Sequence, residues 1–568
     1  KIMKRNKLMI LLGAGMLLVS SCGKEFLQKL PQGELSEPQV GNKDGVEGAL
    51  MGAYSIMNGN VSGTWGNYAS APSQWVFGEM SSDNAHKGSE LTDQTPMNMI
   101  ENFTSISTND NLSTQWQVYF EGVLRCNNTL KLLANDQSGP KEISAERAKE
   151  IQGEAKMLRA HYYFYLWRVF RNVPIITEEI ATAEEAAKIP NDKDVLPLIE
   201  EDLKFAVENL PTTKINDEYG RMDKNAAKAY LGKLYLYQKK YAQALTLFKE
   251  VMAGKDLVSM PYWNNFDVTK ENGPEAVVVS KHAINSNGAA DNSNVGDMLS
   301  GLYGTSPVGC CGFYQPTIDL VNAFQVDANG LPLSPSAYRA KPYLSDLQNP
   351  TASYVLDVSL KFDPRLDYTV GRRGVSYLDY GIMPGNAWIR DAKYAGPFVG
   401  IKTMIPQSQF ATNAAPGENY LTGLDVNVIR LADVWLMAAE CEVEAGNLAG
   451  ALKLVNDVRK RAATLAPKKT GTGANAAAYN VKPYPAFANQ DAARTAVRTE
   501  RRLELALEGH RFFDLVRWGV AKSVLESYSA FEGQYLPSYK GLVFGAKSEY
   551  WPIPQVEIDR SNGVLKPN

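Results

Sequence analysis

Apolar residues recur every three to four positions over much of the chain, which is the spacing of one buried face of an α-helix. Segments rich in glycine, proline, asparagine and serine separate these stretches. The stretches are residues 43–57, 112–134, 144–170, 196–210, 231–248, 428–462 and 490–508. Short β-like runs occur only locally, as at residues 276–280. The pattern predicts a mainly α fold with minor β structure.

Residues 231–248 carry a spacing that is typical of a tetratricopeptide-type helical hairpin. Small residues at Gly232 and Ala244 let two antiparallel helices cross closely, and the rings of Tyr235 and Phe248 fill the groove on either side. One such hairpin cannot bury its own apolar face, so about three or more must stack. The spacing is carried by Leu231, Gly232, Tyr235, Tyr241, Ala244 and Phe248.

A second hairpin frame lies far downstream in residues 428–462, with Gly446 and Asn447 at the turn. Between the two hairpins the helical periodicity is lost. We therefore expect a discontinuous tetratricopeptide-like scaffold that is split by a large, irregular, loop-rich insertion. The predicted parts are 41–253 and 425–520 for the scaffold, 254–424 for the insertion and 521–568 for a C-terminal closing segment.

The amino terminus has the pattern of a lipoprotein signal peptide. Basic residues precede an apolar run at residues 8–19, which is too short to anchor the chain in a bilayer. The run ends in the letters VSSC, which resemble a bacterial lipobox. We expect residues 1–21 to be removed, Cys22 to be lipidated and residues 22–40 to act as a tether. An ordinary signal peptide with a chance cysteine is the alternative.

Composition and charge narrow the possible functions. A net charge of -3 over 568 residues gives no electrostatic basis for nucleic-acid binding. The five cysteines show no C-x-x-C spacing, and the four histidines show no H-x-x-x-H spacing, so no metal site is predicted. No D-x-D-x-D-G calcium loop occurs either. No cofactor is therefore predicted, and calcium binding is left open without a motif.

Several motifs resemble those of one family, the SusD/RagB proteins. Residues 498–519 (RTERRLELALEGHRFFDLVRWG) resemble its carboxy-terminal signature. Residues 154–174 resemble its E-A-x-x-L-R-A-x-Y-Y-F helix, residues 362–365 its D-P-R element and residues 429–434 the start of its R-L-A-D-V helix. Residues 550–554 together with 557–559 resemble its terminal P-I-P…E-I strand. These motifs follow in order along nearly the whole mature chain.

The resemblance implies a lipid-anchored protein of the outer membrane, exposed on the cell surface of a member of the Bacteroidota. It also implies a SusC-like TonB-dependent transporter as partner, to which the protein passes its ligand. In this family the helices form the platform, and irregular segments such as the insertion form much of the ligand-binding face.

The ligand that the resemblance implies is an oligosaccharide or polysaccharide. Flat aromatic rings cover the apolar C–H face of a sugar, and polar side chains bond its hydroxyl groups. Oligopeptide binding by the same architecture is one alternative, and a tetratricopeptide scaffold for protein partners is another. A glycosidase would need two carboxylates at a fixed separation. No nucleophile or metal motif is present, so no enzymatic activity is predicted.

The candidate ligand contacts come from the loop after the first helix and from the insertion, where the resemblance places the site. They are Trp65, Tyr68, Trp75, Asp83 and Asn84 in the loop, and Tyr262, Trp263, Tyr303, Phe313, Tyr314, Trp388 and Arg390 in the insertion. Trp65 and Trp388 are expected to be the most exposed because small and polar residues flank them. Core packing is the alternative for each ring, and a simple turn is the alternative for Asp83 and Asn84.

Two further features allow more than one interpretation. Cys310 and Cys311 either form a vicinal disulfide or remain two thiols in a loop, and the short span between adjacent residues favours thiols. The alternating charges of residues 498–508 suit a helix held by salt bridges, or else a pair of catalytic carboxylates. We favour salt bridges, because the SusD/RagB family uses this segment structurally.

Overall fold

Helices dominate the computed structural model, which describes residues 41–61, 67–180, 182–347, 352–545 and 547–568. The helices are α1 (Lys43–Ser55), α2 (Thr95–Glu101), α3 (Asp110–Ser138), α4 (Ala145–Phe170), α5 (Ala183–Ala186), α6 (Leu196–Asn209), α7 (Lys224–Tyr237), α8 (Tyr241–Met252), α9 (Ile318–Ala323), α10 (Pro335–Ala340), α11 (Leu366–Thr369), α12 (Ala392–Ala395), α13 (Phe410–Asn413), α14 (Leu431–Glu444), α15 (Leu448–Ala462), α16 (Gln490–Leu505), α17 (Arg511–Arg517), α18 (Ala521–Glu532) and α19 (Gln555–Arg560). None of these described helices is both long enough and apolar enough to cross a membrane.

Strands are short and pair two by two. They are β1 (Ala85–Gly88), β2 (Ala276–Ser280), β3 (Phe313–Pro316), β4 (Lys361–Phe362), β5 (Val370–Gly371), β6 (Val399–Gly400), β7 (Ala414–Ala415), β8 (Glu418–Thr422), β9 (Val426–Arg430) and β10 (Ala478–Tyr479). The mainly α fold with minor β structure is thus confirmed. The predicted signal peptide, Cys22, the tether and Trp65 lie outside the described residues.

The hairpin predicted at residues 231–248 is present as α7 and α8. Gly232 on α7 faces the ring of Phe248 on α8, and a Cβ atom at Gly232 would lie 2.5 Å from Phe248 Cε1. Ala244 and Phe248 are fully buried at this crossing. The small residue therefore permits the close approach of the helices, as the spacing predicts.

The second hairpin is present as α14 and α15, and α14 packs directly on α8 of the first. Lys233 on α7 donates a hydrogen bond to Asp433 on α14, with 3.1 Å between Nζ and Oδ2. The two hairpins are therefore neighbours in space although the insertion separates them in the sequence. This arrangement confirms the discontinuous helical scaffold.

A strand near the start of the insertion pairs with the strand directly after its end, and the insertion has a core of its own. Strands β2 and β9 pair antiparallel, with Ala276 opposite Arg430 and Ser280 opposite Val426. The first part of the insertion therefore lies beside the chain that re-enters the scaffold. The second core consists of Leu302, Val308, Tyr377, Met383, Trp388, Ile389, Val399, Ile401 and Met404.

Three of the motifs named above meet in one buried ion network. Glu504 on α16 accepts hydrogen bonds from Arg365 Nη1 at 3.0 Å, Arg430 Nη1 at 2.8 Å and Arg461 Nη2 at 2.5 Å. All four side chains are fully buried. Burial raises the pKa of Glu504, but the arginines outweigh it and hold this pKa far below its usual range.

Arg501, which lies on α16 like Glu504, forms a second buried cluster with two aspartates. Arg501 donates from Nη1 to Asp433 Oδ1 at 2.8 Å and from Nε to Asp514 Oδ2 at 3.0 Å. These pairs join α16 to α14 and α17. They give the charges of this helix a structural role, and they favour the salt-bridge interpretation over that of catalytic carboxylates.

The structure differs from the sequence predictions at the end of α16 and near the carboxyl terminus of the chain. Helix α16 ends at Leu505 and not at 508, because Ala506 is extended and Leu507 takes a φ of 62°. The predicted terminal strand is wrong, since the residues after Pro554 form α19. Pro552 and Pro554 have no N–H to donate to a neighbouring strand, and no strand in the described chain pairs with them.

Candidate functional site

The described part of the loop between α1 and α2, residues 56–61 and 67–94, is largely buried. Its helical turn Trp75–Met80 packs against the backbone at Gly509, so closely that a Cβ atom on Gly78 would overlap the carbonyl oxygen there. Trp75 is fully buried and donates from Nε1 to Gly296 O at 3.0 Å. Tyr68 is buried as well. Both rings belong to the core and offer no stacking face to a ligand, because a distant part of the chain covers them.

Asp83 and Asn84 are also buried, and they fasten this loop to α16 and α17. Arg511 donates to both carboxylate oxygens of Asp83, at 2.7 and 2.9 Å. Arg502 Nε donates to Asn84 Oδ1 at 2.8 Å. Burial raises the pKa of Asp83, but Arg502 and Arg511 hold it well below its usual range. These two side chains are occupied in the structure and are not free to bind a ligand.

Four predicted rings of the insertion are buried, namely Tyr262, Phe313, Tyr314 and Trp388. The expected exposure of Trp388 is wrong: only 5% of it is exposed. The flanking glycine and asparagine do not expose it, because it packs in the second core with Tyr377, whose ring centroid is 5.6 Å away. Phe313 and Tyr314 lie on buried β3, and the Tyr314 ring is 5.4 Å from Trp75.

Tyr262 and Trp263 lie together near the ion network. Tyr262 is buried, with Lys402 Nζ 5.5 Å from its ring centroid. Trp263 is half-buried, and its ring lies 5.7 Å from Phe266 and 5.9 Å from Tyr368. Because part of Trp263 is still exposed, its role as a ligand contact stays a prediction.

Two of the predicted residues, Tyr303 and Arg390, meet at the surface. The Arg390 guanidinium lies over the Tyr303 ring, 5.4 Å from its centroid. Arg390 also forms ion pairs with Glu90 (Nη2–Oε1 2.8 Å) and Asp93 (Nη1–Oδ2 2.6 Å), which follow β1. All four side chains are half-buried. We call Glu90, Asp93, Tyr303 and Arg390 the Tyr303 surface.

Backbone pairing brings these four residues together from distant parts of the chain. Strands β1 and β3 pair antiparallel, with Gly88 opposite Phe313, and the next residue, Ser89, donates its N–H to Gly312 O at 2.5 Å. The N–H of Tyr303 donates to Trp388 O at 3.1 Å, which places Tyr303 beside Arg390. The loop between α1 and α2 and the insertion therefore meet at one part of the protein surface.

The Tyr303 surface combines the two kinds of contact that a sugar requires. Arg390 covers one face of the Tyr303 ring, and no other ring contacts Tyr303 in the described ranges. The Tyr303 hydroxyl has no hydrogen-bond partner among the described residues. The ring can therefore stack on an apolar C–H face, while the hydroxyl, guanidinium and carboxylates bond to hydroxyl groups. In the same ranges no cluster of three or more His, Cys, Asp or Glu side chains is placed to hold a metal ion.

Buried Lys87 stabilises the backbone of two residues of this surface. Its Nζ donates to Glu90 O at 2.8 Å and to Asp93 O at 2.5 Å. Burial lowers the pKa of Lys87 to about 8. The backbone that carries Glu90 and Asp93 is thus tied to the inner end of β1.

His86, also on β1, lies between two carboxylates. Its Nδ1 is 3.1 Å from Glu101 Oε1 and its Nε2 is 2.9 Å from Glu532 Oε1. Tyr539 stacks on the ring, with 3.7 Å between centroids. Burial lowers the pKa of His86, but the hydrogen bonds to both carboxylates outweigh it and raise the pKa to about 9.

We expect the contribution of His86 to stability to depend on pH. A histidine whose folded pKa is raised stabilises the protein fully below its unfolded pKa of about 6.5, and this contribution is lost as pH rises through the folded value. The melting temperature of the wild type should therefore exceed that of His86→Gln most at pH 6, and the difference should shrink towards pH 10. A difference that is constant from pH 6 to pH 10 would show that His86 is not charged.

Glu90 and Asp93 were not identified from the sequence. The signal that could have found them is the polar run at residues 89–93, which directly follows a short stretch that becomes β1. Their importance comes from Arg390, which is distant in the sequence. A pattern in one local segment does not reveal such a pair.

Sequence and structure comparisons agree on one family. A profile described as "SusD family" matches residues 274–568, and one described as "Starch-binding associating with outer membrane" matches residues 52–236. The chain belongs to the SusD family. A SusD-like protein of Formosa agariphila is 24% identical over 530 residues, which cover 90% of each chain.

Solved structures of SusD-like proteins share this fold over nearly the whole chain. A structure described as a laminarin binding SusD-like protein is 26% identical, covers 93% of this chain and 99% of its own, and gives a TM-score of 0.64. Surface glycan-binding protein A from Bacteroides thetaiotaomicron, in complex with laminarihexaose, is 19% identical, with coverages of 93% and 99% and a TM-score of 0.62.

Proposed function

We propose that the protein binds an oligosaccharide or polysaccharide at the cell surface and passes it, without catalysis, to a SusC-like TonB-dependent transporter. The single observation that carries the binding step is the half-buried ring of Tyr303, which Arg390 holds from one side beside Glu90 and Asp93. Family membership adds to this, since one matching profile is described as starch-binding and one structural relative as laminarin binding.

A binding role suits the charges at the Tyr303 surface. Glycoside hydrolysis needs one carboxyl group as proton donor and a second as base or nucleophile, both facing the sugar bond. Glu90 and Asp93 are instead both paired with the Arg390 guanidinium. Such a charge-assisted cluster is suited to hold hydroxyl groups in place.

The anchor and the partner complete the proposal. Lipidation at Cys22 would hold the protein on the outer membrane, with residues 22–40 as a tether. The transporter would then receive a ligand that is already concentrated at its entrance. Both elements come from the resemblance of the motifs, and the binding experiment below does not depend on them.

Replacing Tyr303 by alanine should weaken glycan binding at least about tenfold, equivalent to about 1.4 kcal/mol, because the central ring of the surface is lost. The measurement is titration calorimetry of the chain from Lys24 onwards against the oligosaccharides laminarihexaose and maltohexaose, a panel of polysaccharides and a peptide digest. Tyr303→Phe should keep most of the affinity if stacking dominates.

Tyr219→Ala is the matched control, because Tyr219 is 56% exposed in the loop between α6 and α7 and belongs to no candidate site. It should bind like the wild type. Equal affinities for Tyr303→Ala and Tyr219→Ala would remove Tyr303 from the site. Binding of peptides alone would contradict the glycan proposal. New reducing ends after incubation with a glycan would contradict the absence of catalysis.

A further inference from the structure

A disulfide joins the adjacent residues Cys310 and Cys311, which contradicts the preference for free thiols drawn from their short separation. The function proposed above gives this bond no role. The other cysteines of the described chain, Cys126 and Cys441, are free and buried on helices. The vicinal disulfide therefore needs an explanation of its own.

The disulfide lies against the backbone that carries Tyr303. Gly301 O accepts the N–H of Cys311 at 3.0 Å and that of Gly312 at 2.8 Å, so residues 301–303 run beside residues 310–312. A Cβ atom on Gly312 would lie 3.3 Å from Tyr303 Cβ and 3.5 Å from Arg390 Cβ. Gly312, the residue directly after the disulfide, thus lies close to two members of the Tyr303 surface.

Part of this segment faces solvent. Cys310 is half-buried, and Gly309 is exposed, with open space where its side chain would be. Cys311 is buried and anchors the pair to the core. One cysteine of the disulfide is therefore fixed in the core, and the other is partly open to solvent.

We propose that the Cys310–Cys311 disulfide is a second apolar contact of the glycan site, next to Tyr303, and that full affinity requires it to be oxidised. The inference rests on the proposed function, since it extends the same site. Sulfur is polarisable and weakly hydrated, so it can pack on the C–H face of a sugar unit adjacent to the one on Tyr303.

The bond also lowers the cost of binding. A loop that is already fixed loses less conformational freedom when the ligand binds. Reduction would leave two separate thiols in a loop with an exposed glycine, and this loop would have to be ordered again by each ligand. The cell surface is an oxidising location in which disulfides persist.

The first test compares binding by the oxidised and reduced wild type. Tris(2-carboxyethyl)phosphine takes the oxygen of one water molecule to become the phosphine oxide, while the two hydrogens protonate the two sulfurs of the cleaved bond. Thiol titration of the native protein should then detect Cys310 and Cys311. Cys126 should stay unreactive, because burial raises the pKa of its thiol. The glycan that binds the oxidised protein should bind the reduced protein about tenfold more weakly.

The second test uses Cys310→Ala/Cys311→Ala, with Cys126→Ala as control. The double variant should show the same loss as the reduced wild type and no further loss on addition of the phosphine, whereas Cys126→Ala should respond like the wild type. If the double variant does not fold, the comparison of the oxidised with the reduced wild type tests the inference by itself. Unchanged affinity after reduction would overturn the inference while leaving the proposed function intact. Absence of glycan binding by the oxidised wild type would instead contradict the proposed function.

Discussion

Replacing Glu504 by glutamine is expected to lower the free energy of unfolding by about 3–5 kcal/mol, because the variant leaves a buried cluster of arginines and carboxylates one negative charge short. Arg365, Arg430 and Arg461 all donate to this one carboxylate. Glutamine has nearly the same shape, so the change removes charge and not volume. A buried ion pair contributes little when formed but costs much when one partner is removed.

The midpoint of urea unfolding at pH 7 measures this effect. The folded pKa of Glu504 is lowered, so its contribution is present above the usual glutamate pKa and is lost only as pH falls through the folded value. At pH 7 the whole contribution is therefore observed.

Glu526→Gln is the matched control for Glu504→Gln. Glu526 lies on α18 and pairs with Lys522 one turn away, with its side chain 38% exposed. Exposed pairs of this kind contribute about 0.2–1 kcal/mol. Equal midpoints for the two variants would mean that the ion network does not stabilise the fold.

The scaffold could be predicted from the sequence because its rules are local. The spacing from Gly232 to Phe248 specifies two helices and the point at which they cross, and the structure has both. The second hairpin follows from the same spacing. The packing of α8 on α14 could not be predicted from this local spacing. It depends on the pairing of β2 with β9, which brings the two hairpins together across the insertion.

The candidate site could be predicted only in part. Tyr303 and Arg390 were predicted because the family resemblance places ligand contacts in the insertion, and the structure brings them together. Trp388 also has small and polar flanking residues, yet both it and Trp75 are buried. Their burial depends on partners such as Gly296 and Tyr377, which no local pattern reveals. Exposure of a ring in a long loop is therefore decided by tertiary contacts.

The second large effect is expected at Gly509, where the signature segment meets the first loop. Gly509 has a φ of +78°, and a Cβ atom there would overlap the carbonyl oxygen of Ser73. The variant Gly509→Ala carries two costs. The alanine must adopt a left-handed conformation, which costs about 1–2 kcal/mol, and its Cβ overpacks the site, which costs about 1–3 kcal/mol. We expect it to lower the free energy of unfolding by about 2–5 kcal/mol.

Gly519→Ala separates the conformational cost from the overpacking cost. Gly519 also follows a helix and has a positive φ of +68°, but no atom lies within 4 Å of the position that its Cβ would take. It should show the conformational cost alone, about 1–2 kcal/mol. Urea unfolding of both variants beside the wild type gives the comparison. Equal losses at Gly509 and Gly519 would mean that Ser73 can move away, and that the loop carrying Trp75 is not held as tightly as its burial implies. A larger loss at Gly509 would show that this contact fixes the loop on which β1 and the Tyr303 surface are built.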